Sequence, residues 1–170
     1  YIDRSAIAFA MPLLSKRFHL NSEDIGLTLG AFNIGYALLV FIGGLLVDRF
    51  GSRRVWLVAA FIWSLSIVST AAATGFLMLF LVRLMLGVAE GPNFPALNRV
   101  VGDWLPADER AVALGNALVA VPIALMIGGP VVSELASIYS WRGMFIILGI
   151  SGIIWVPLWY FLYRDYPENS

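Results

Sequence analysis

Residues 25–47 read IGLTLGAFNIGYALLVFIGGLLV, a run of 23 residues without a charged side chain. Three further uncharged runs cover residues 55–82, 111–133 and 143–163, with 28, 23 and 21 residues. A hydrocarbon core about 30 Å thick needs roughly 20 residues of helix at ~1.5 Å per residue. Each run can therefore span a membrane. The longest is interrupted at Thr74 and Gly75 and predicts two helices, at 55–74 and 76–98.

The composition agrees with lipid as the solvent for most of the chain. Apolar residues make up 60% of the 170 residues and charged residues 13%, whereas soluble domains carry about 25% charged residues. The first apolar stretch, residues 5–15, is too short to span alone, so we expect a fragment whose first helix begins upstream. The sequence predicts one all-α membrane bundle over residues 1–170, with six transmembrane helices at about 1–15, 25–47, 55–74, 76–98, 111–133 and 143–163.

Several functional classes are excluded by what the sequence lacks. The formal net charge is zero, which offers no basic field for nucleic acid. There is no cysteine, and His19 is the single histidine, so thiolate catalysis and a multi-histidine metal centre are excluded. No His-Glu-x-x-His stretch is present. We therefore expect no enzyme, no catalytic or metal site, and no cofactor.

The loop charges predict the orientation in the membrane. With alternating helices, one side collects Arg49, Arg53, Arg54, Arg99, Arg110 and Arg164. The other side collects Lys16, Arg17 and Arg142. Cytoplasmic loops carry an excess of Lys and Arg. The loops between helices 2 and 3 and between helices 4 and 5 are therefore predicted to be cytoplasmic.

The two halves of the chain are weakly alike at an offset of 85 residues. Leu29-Gly30 aligns with Leu114-Gly115, and 42–44 (IGG) with 127–129 (IGG). Small and apolar residues recur by chance in membrane helices, so chance similarity and a true repeat both remain open. A true repeat would contain three helices per copy, and the second copy would lie in the membrane with opposite topology.

The loop after helix 2 carries a family motif. Residues 44–54 read GLLVDRFGSRR, which resembles the G-x-L-a-D-R-x-G-R/K-R/K signature of the major facilitator superfamily. The resemblance implies the N-terminal six-helix half of a major facilitator fold, arranged as a 3+3 inverted repeat, with the C-terminal half absent. It also implies a cytoplasmic gate formed by Gly44, Asp48, Arg49, Gly51, Arg53 and Arg54. Gly44 would admit a neighbouring helix, Asp48 would accept hydrogen bonds, and Gly51 would permit a tight turn. A positive-inside loop with a glycine turn explains the arginines alone equally well.

Three further motifs resemble the anion:cation symporter branch of that superfamily. Residues 1–4 read YIDR, similar to its Y-x-D-R. Residues 83–96 read RLMLGVAEGPNFPA, similar to R-x-x-x-G-x-x-E-G-x-x-F-P-A, and residues 141–145 read WRGMF. The resemblance implies proton-coupled symport of an organic anion, such as a sugar acid, by alternating access. Its partners would be the lipid bilayer and the C-terminal half, and its location the bacterial inner membrane.

Helix 4 leads to the same residues by physical argument. Arg83 and Glu90 are seven residues apart and share one helix face. A charge near mid-membrane costs at least ~2.5–3.5 kcal/mol, so both must face protein or a water-filled cavity. Pro92 and Pro95 follow and loosen the backbone hydrogen bonds. By helical rise from Lys16, Asp3 and Arg4 lie at a similar depth.

These ionisable groups suggest a site for a proton and an anion. A carboxylate can exchange a proton as a nearby cation is engaged or freed, and arginine is suited to a substrate carboxylate. We predict proton coupling by Asp3 and Glu90, anion binding by Arg4, Arg83 and Tyr36, and further cavity contacts from Asn33, Asn93 and Asn116. The alternatives are static pairs of Asp3 with an arginine or of Arg83 with Glu90, a core tyrosine, and asparagines that bond helix to helix. An exchanger, a uniporter and a non-transporting membrane sensor also remain open.

Overall fold

The computed structural model describes residues 1–165, and its secondary structure over that range consists of helices. Residues 166–170, which the sequence places in the same bundle, lie outside the described residues. The helices are α1 (Ile2–Phe18), α2 (Ser22–Phe50), α3 (Ser52–Ala71), α4 (Phe76–Glu90), α5 (Asn93–Trp104) and α6 (Arg110–Leu162).

Within residues 1–165, the six helices correspond to six membrane crossings, but not one helix to one crossing. α4 and α5 form one apolar stretch, Phe76–Trp104, bent where Gly91 and Pro92 separate them. α6 contains two crossings, because Ser140 has φ 65° and ψ 168° and interrupts the helical backbone. Within residues 1–165, four stretches are long and apolar enough to span on their own: Ser22–Phe50, Ser52–Ala71, Phe76–Trp104 and Arg110–Leu162.

The observed bounds differ from the expected ones mainly at the ends. α2 starts at Ser22 rather than at residue 25, because Asn21 and Asp24 form a reciprocal capping box. The fourth crossing was expected to be continuous over 76–98, but its helix breaks after Glu90 and resumes at Asn93. Pro92 has no N–H to continue the hydrogen-bond ladder, which accounts for a break at this position.

The loops define two ends of the bundle. The His19 end comprises residues 19–21, residues 72–75 and the interruption at Ser140; α1 stops there because His19 adopts a left-handed conformation, φ 54°. The Gly51 end comprises Gly51, residues 105–109 and residues 163–165. At Gly51, φ is 81° and ψ 153°, a conformation that is essentially restricted to glycine.

The crossings pack in pairs through small residues. α2 lies against α4, where a Cβ on Gly35 would be 2.9 Å from the backbone nitrogen of Val88. α1 lies against the first half of α6, where a Cβ on Gly128 would be 3.1 Å from Ser5 Oγ. α3 lies against the second half of α6. In crossing numbers, these pairs are 2 with 4, 1 with 5, and 3 with 6. Exchanging crossings 1, 2 and 3 for crossings 4, 5 and 6 converts the 2–4 pair into the 1–5 pair and leaves the 3–6 pair unchanged, as an inverted 3+3 repeat requires.

The same exchange relates the aligned glycines. A Cβ on Gly43 would be 2.7 Å from Pro92 Cα on the fourth crossing. Gly128, which follows 85 residues later, has the corresponding close contact with the first crossing.

The core contains the fully buried side chains of Ile7, Leu14, Leu79, Val132 and Met144. Large apolar side chains are also exposed around the bundle, among them Phe41, Leu45, Phe161 and Leu162, as expected of a surface that faces lipid.

Candidate functional site

An ion pair joins the first crossing to the fourth inside the bundle. Arg4 Nε on α1 donates a hydrogen bond to Glu90 Oε2 at the end of α4, at 2.6 Å. The side chains are 20% and 8% exposed, so the pair is largely shielded from solvent. The sequence left two other pairings open, Arg83 with Glu90 and Asp3 with an arginine side chain. In the structure, Glu90 pairs with Arg4 instead. Asp3 Oδ1 accepts a hydrogen bond from the backbone N–H of Arg4 at 2.9 Å.

Aromatic rings surround the guanidinium of Arg4. Its Cζ lies 4.6 Å from the ring centroid of Phe32, 5.1 Å from that of Tyr36 and 4.4 Å from that of Tyr1. A cation over an aromatic face is stabilised electrostatically, and more so when it is desolvated. Tyr36 was expected to hydrogen-bond the hydroxyl groups of a bound substrate, with a core tyrosine as the alternative. In the structure its ring also helps to hold Arg4 in place.

Phe32 is a site residue that the sequence reasoning missed. Its ring stacks on Tyr36 with 5.9 Å between centroids, and it also lies 5.3 Å from the Cζ of Arg83. Phe32 therefore contacts both buried arginines. The available signal was its position four residues before Tyr36, which puts both rings on one face of α2.

Two polar atoms in this cluster are buried without a hydrogen-bond partner in the described part of the chain. They are Nε of Arg83 and Oε1 of Glu90, and they come in addition to Nη2 of Arg4, which makes no hydrogen bond but lies 2.5 Å from Glu90 Oε2 in the ion pair. The two residues are only 5% and 6% exposed. A buried polar group without a partner is costly. These atoms therefore leave unused hydrogen-bonding capacity, one donor and one acceptor, next to the ion pair.

The three asparagines lie elsewhere. Asn93 Oδ1 accepts a hydrogen bond from Trp56 Nε1 at 2.9 Å, which ties α5 to α3. Asn33 is exposed on α2, and Asn116 is exposed on α6 beside the 105–109 loop. No hydrogen bond within residues 1–165 joins any of the three to Arg4, Arg83 or Glu90. For Asn93, the structure matches the alternative to a cavity contact, a hydrogen bond between two helices.

A second polar cluster lies at the Gly51 end. Asp48 Oδ1 accepts from Arg99 Nη1 at 3.1 Å, and Arg99 Nε donates to Asp103 Oδ2 at 2.7 Å. These contacts link the end of α2 to α5. The sequence left a helix N-terminus and an arginine open as donors to Asp48, and in the structure the donor is Arg99. Arg99 itself was noted only as a charge that sets topology.

Asp165 connects the end of the sixth crossing to the Gly51 turn. Its Oδ1 accepts the backbone N–H of Arg53 at 2.8 Å, and the guanidinium of Arg53 donates to the backbone carbonyl of Tyr160. The predicted glycine turn is confirmed by the φ of Gly51. Burial and the nearby Asp165 raise the pKa of Tyr163 to about 12, so this phenol is neutral at physiological pH.

The remaining gate candidates have different surroundings. The guanidinium of Arg49 lies 5.3 Å from the ring centroid of Phe50, and Arg54 is exposed. For Gly44, nothing within the described residues lies within 4 Å of a Cβ placed there, and the expected close approach of a helix stays a prediction. The close contact belongs to Gly43, because that face of α2 points towards Pro92.

Comparisons with known proteins agree with this geometry. The Major Facilitator Superfamily model matches residues 1–170. The hexuronate transporter of Bacillus subtilis is 35% identical over 170 residues, which are 100% of this chain and 40% of that protein. The D-galactonate transporter of Escherichia coli O6:H1 is 34% identical over 164 residues, 96% of this chain and 38% of that protein. The probable sulfoacetate transporter SauU of Cupriavidus necator is 34% identical over 169 residues, 99% of this chain and 39% of that protein.

Among solved structures, a bacterial homologue of the human lysosomal transporter Spinster has the same fold. In its inward-facing and occupied conformation it superposes with a TM-score of 0.90 at 24% identity, over 98% of this chain and 42% of that protein. The fold defines an all-α, multi-pass membrane protein. The chain belongs to the major facilitator superfamily and forms the N-terminal six-helix half of its fold. It spans about 40% of the length of the curated relatives.

Proposed function

We propose that the full-length protein is a secondary active transporter that imports an organic anion together with a proton. A sugar acid, such as a hexuronate or an aldonate, is the favoured substrate. Three relatives are named for hexuronate, D-galactonate and sulfoacetate, and each of these substrates carries an acidic group. The two buried arginines favour an anion over a neutral solute, because a desolvated cation is best stabilised by an opposite charge.

The Arg4–Glu90 ion pair is the observation that carries this proposal. A substrate carboxylate that binds Arg4 competes with Glu90 for the same guanidinium N–H groups. When Glu90 loses its cation, a buried carboxylate is left unpaired, and such a group takes up a proton instead of staying charged. Anion binding and proton binding then favour each other, as symport requires.

The other site residues have supporting roles in this scheme. Arg83 offers its unpaired Nε as a second anion contact or as a counter-charge to Glu90. Tyr36 and Phe32 hold the Arg4 guanidinium in place. Asp3 is a second candidate proton carrier next to Arg4. Asn33 and Asn116 are exposed in this half and are candidates for contacts with the C-terminal half.

Alternating access requires that C-terminal half, because the two halves of such a transporter rock about a shared central site. The polar cluster of Asp48, Arg99 and Asp103 is then a gate that opens and closes against the other half. The excess of arginines at the Gly51 end favours a cytoplasmic location for this end by the positive-inside rule. We propose the bacterial inner membrane as the location and the proton as the only coupling ion.

Proteoliposomes containing the full-length protein test the coupling. Uptake of labelled glucuronate and galactonate is measured with and without an inward proton gradient, and substrate-driven proton entry is followed with a trapped pH dye. We expect Glu90→Gln to abolish proton entry and accumulation while substrate exchange continues. Glu23→Gln, at an exposed position in the first turn of α2, is the matched control and should behave as wild type. Intact proton coupling in Glu90→Gln contradicts the proposal, and exchange without proton entry in the wild type indicates an exchanger.

A further inference from the structure

A groove on the outside of the bundle is unrelated to the buried ion pair. It lies between α2, α3 and the α4–α5 bend, has a volume of about 350 Å³, and is apolar apart from one residue at its end. Its walls include Leu39 and Leu46 from α2, Val55 and Val58 from α3, and Val88 and Pro92 at the bend. The volume is within the range of small-molecule sites, ~300–1,000 Å³. A ligand of mainly hydrocarbon character therefore fits this space.

The groove is formed by the way the helices diverge. α2 and α3 meet at the Gly51 turn, and the α4–α5 bend packs on α2, where a Cβ on Gly43 would be 2.7 Å from Pro92 Cα. Buried small residues, Ala59 and Ala89, form part of the lining. They leave room where larger side chains would fill the gap between the three elements. The concavity therefore depends on small residues at this depth and not only on an exposed apolar face.

The depth of the groove matches one leaflet of a bilayer. α3 has 20 residues, so its first turn lies near one boundary of the hydrocarbon core and its last turn near the other. The lining of α3 runs from Arg54 to Ile62, which corresponds to ~12 Å along the helix axis. Half of a hydrocarbon core is ~15 Å. A chain lying along the groove would therefore extend from the membrane boundary through most of one leaflet.

Arg54 gives this groove a polar end. It is exposed, and it makes no hydrogen bond or ion pair with any of residues 1–165. The neighbouring Arg53 is engaged by the Tyr160 carbonyl, and Arg99 by two aspartates. Guanidinium groups at the level of the headgroups attract anionic lipids. The free cation at the mouth of an apolar groove thus has the charge pattern complementary to an anionic phospholipid.

We propose that this groove binds one anionic phospholipid, with an acyl chain along α3 and the headgroup phosphate on Arg54. Lipid tails gain little from exchanging lipid for apolar protein, because both surroundings are equally apolar. The selectivity therefore comes from Arg54, and the shape of the groove holds the lipid at one place. This inference does not depend on the proposed transport activity.

Native mass spectrometry of the full-length protein tests the proposal. The protein is released from nanodiscs of phosphatidylcholine and phosphatidylglycerol in equal amounts, and retained phosphatidylglycerol is measured. We expect Arg54→Gln to lower its retention about fivefold, the factor for removing one arginine from an anionic surface. Arg17→Gln, an exposed arginine at the opposite end, should retain as much as wild type. Equal retention by wild type and Arg54→Gln overturns the proposal.

Two further variants test the groove itself. Val58 is 60% exposed, so Val58→Phe fills space in the groove without displacing the core, and it should lower retention as much as Arg54→Gln. Unchanged retention in Val58→Phe means that only the headgroup binds, and it overturns the acyl-chain assignment. A photoreactive p-benzoylphenylalanine at position 58 should capture phosphatidylglycerol. A crosslink to the C-terminal half instead shows that protein fills the groove, and it also overturns the proposal.

Discussion

Arg4 on the first crossing and Glu90 on the fourth form a buried ion pair, with Arg4 Nε 2.6 Å from Glu90 Oε2. The two residues are 86 positions apart and belong to opposite halves of the inverted repeat. The pair joins the first crossing to the fourth, and a ligand that binds the Nε and Nη2 edge of Arg4 must displace Glu90. Each side chain compensates the charge of the other, so the stability of the bundle depends on both Arg4 and Glu90.

The first prediction concerns this mutual dependence. Arg4→Gln and Glu90→Gln should each lower the free energy of unfolding by ~3 kcal/mol, because each leaves one buried charge without its partner. The double variant should recover at least half of the larger loss, since it leaves neither charge behind. Titration of the full-length protein with SDS in mixed micelles measures the free energy of unfolding of the two single variants and of the double variant. Arg17→Gln, an exposed arginine on the same helix, is the control. Losses that simply add in the double variant would show that the two side chains do not act as a pair.

The second prediction concerns the contact of α2 with α4. A Cβ on Gly35 would meet the backbone of Leu84 and Val88, whereas a Cβ on Gly30, also on α2, meets nothing within 4 Å. Gly35→Ala should therefore separate the helices and cost ~1–3 kcal/mol. Gly30→Ala should be neutral or stabilise by up to ~1 kcal/mol, because alanine is the better helix former. The shift of the thermal unfolding midpoint distinguishes them, and equal effects would contradict this packing.

The sequence was informative about the charges inside the membrane, but not about their pairing. Arg83 and Glu90 stand out because they are the two charged residues of the predicted helix 76–98, and the cost of a lipid-exposed charge requires both to face inward. Their partners depend on how α1 and α4 are rotated about their axes. A spacing of seven residues within α4 contains no information about α1. This is why Arg83 with Glu90 was a reasonable expectation and Arg4 with Glu90 is the observed pair.

The break in the fourth crossing shows a similar limit. The prolines at 92 and 95 indicated a loosened helix, but Pro12, Pro122, Pro130 and Pro157 lie inside helices that continue past them. A proline alone therefore does not locate the break, and only the structure shows that α2 packs directly on Pro92 at Gly43. The four longest apolar stretches, by contrast, follow from hydrophobic length, since every backbone polar group in lipid must be satisfied within a helix.

The third prediction concerns Gly51. Its φ of 81° and ψ of 153° are unfavourable for a residue with a side chain, and a Cβ there would lie 2.7 Å from Asp165 Oδ2. Gly51→Ala should cost ~1–3 kcal/mol of stability and displace Asp165 from the Arg53 N–H. Gly102→Ala, in open space on α5, is the matched control. Hydrogen exchange of the first turn of α3, followed by mass spectrometry, should accelerate only in Gly51→Ala. Unchanged exchange in that variant would contradict the role of Asp165 at this turn.

The last prediction separates stability from gating at the Asp48–Arg99 contact. The two side chains are 69% and 38% exposed, and exposed ion pairs contribute ~0–1 kcal/mol. Arg99 also keeps its bond to Asp103 when Asp48 is changed. Asp48→Asn should therefore alter the free energy of unfolding by less than ~1 kcal/mol.

Transport by the full-length protein should respond more strongly. If Asp48 favours one of the two conformations, its loss biases the equilibrium, and a bias of ~1.4 kcal/mol lowers the population of the other conformation roughly tenfold. The initial rate of galactonate uptake in proteoliposomes should then fall in Asp48→Asn but not in Asp108→Asn, an exposed aspartate at the same end of the bundle. Uptake and stability that fall together in Asp48→Asn would instead assign Asp48 a structural role. A loss of uptake at unchanged stability separates the two roles, because a residue that only supports the fold cannot slow transport without weakening the fold.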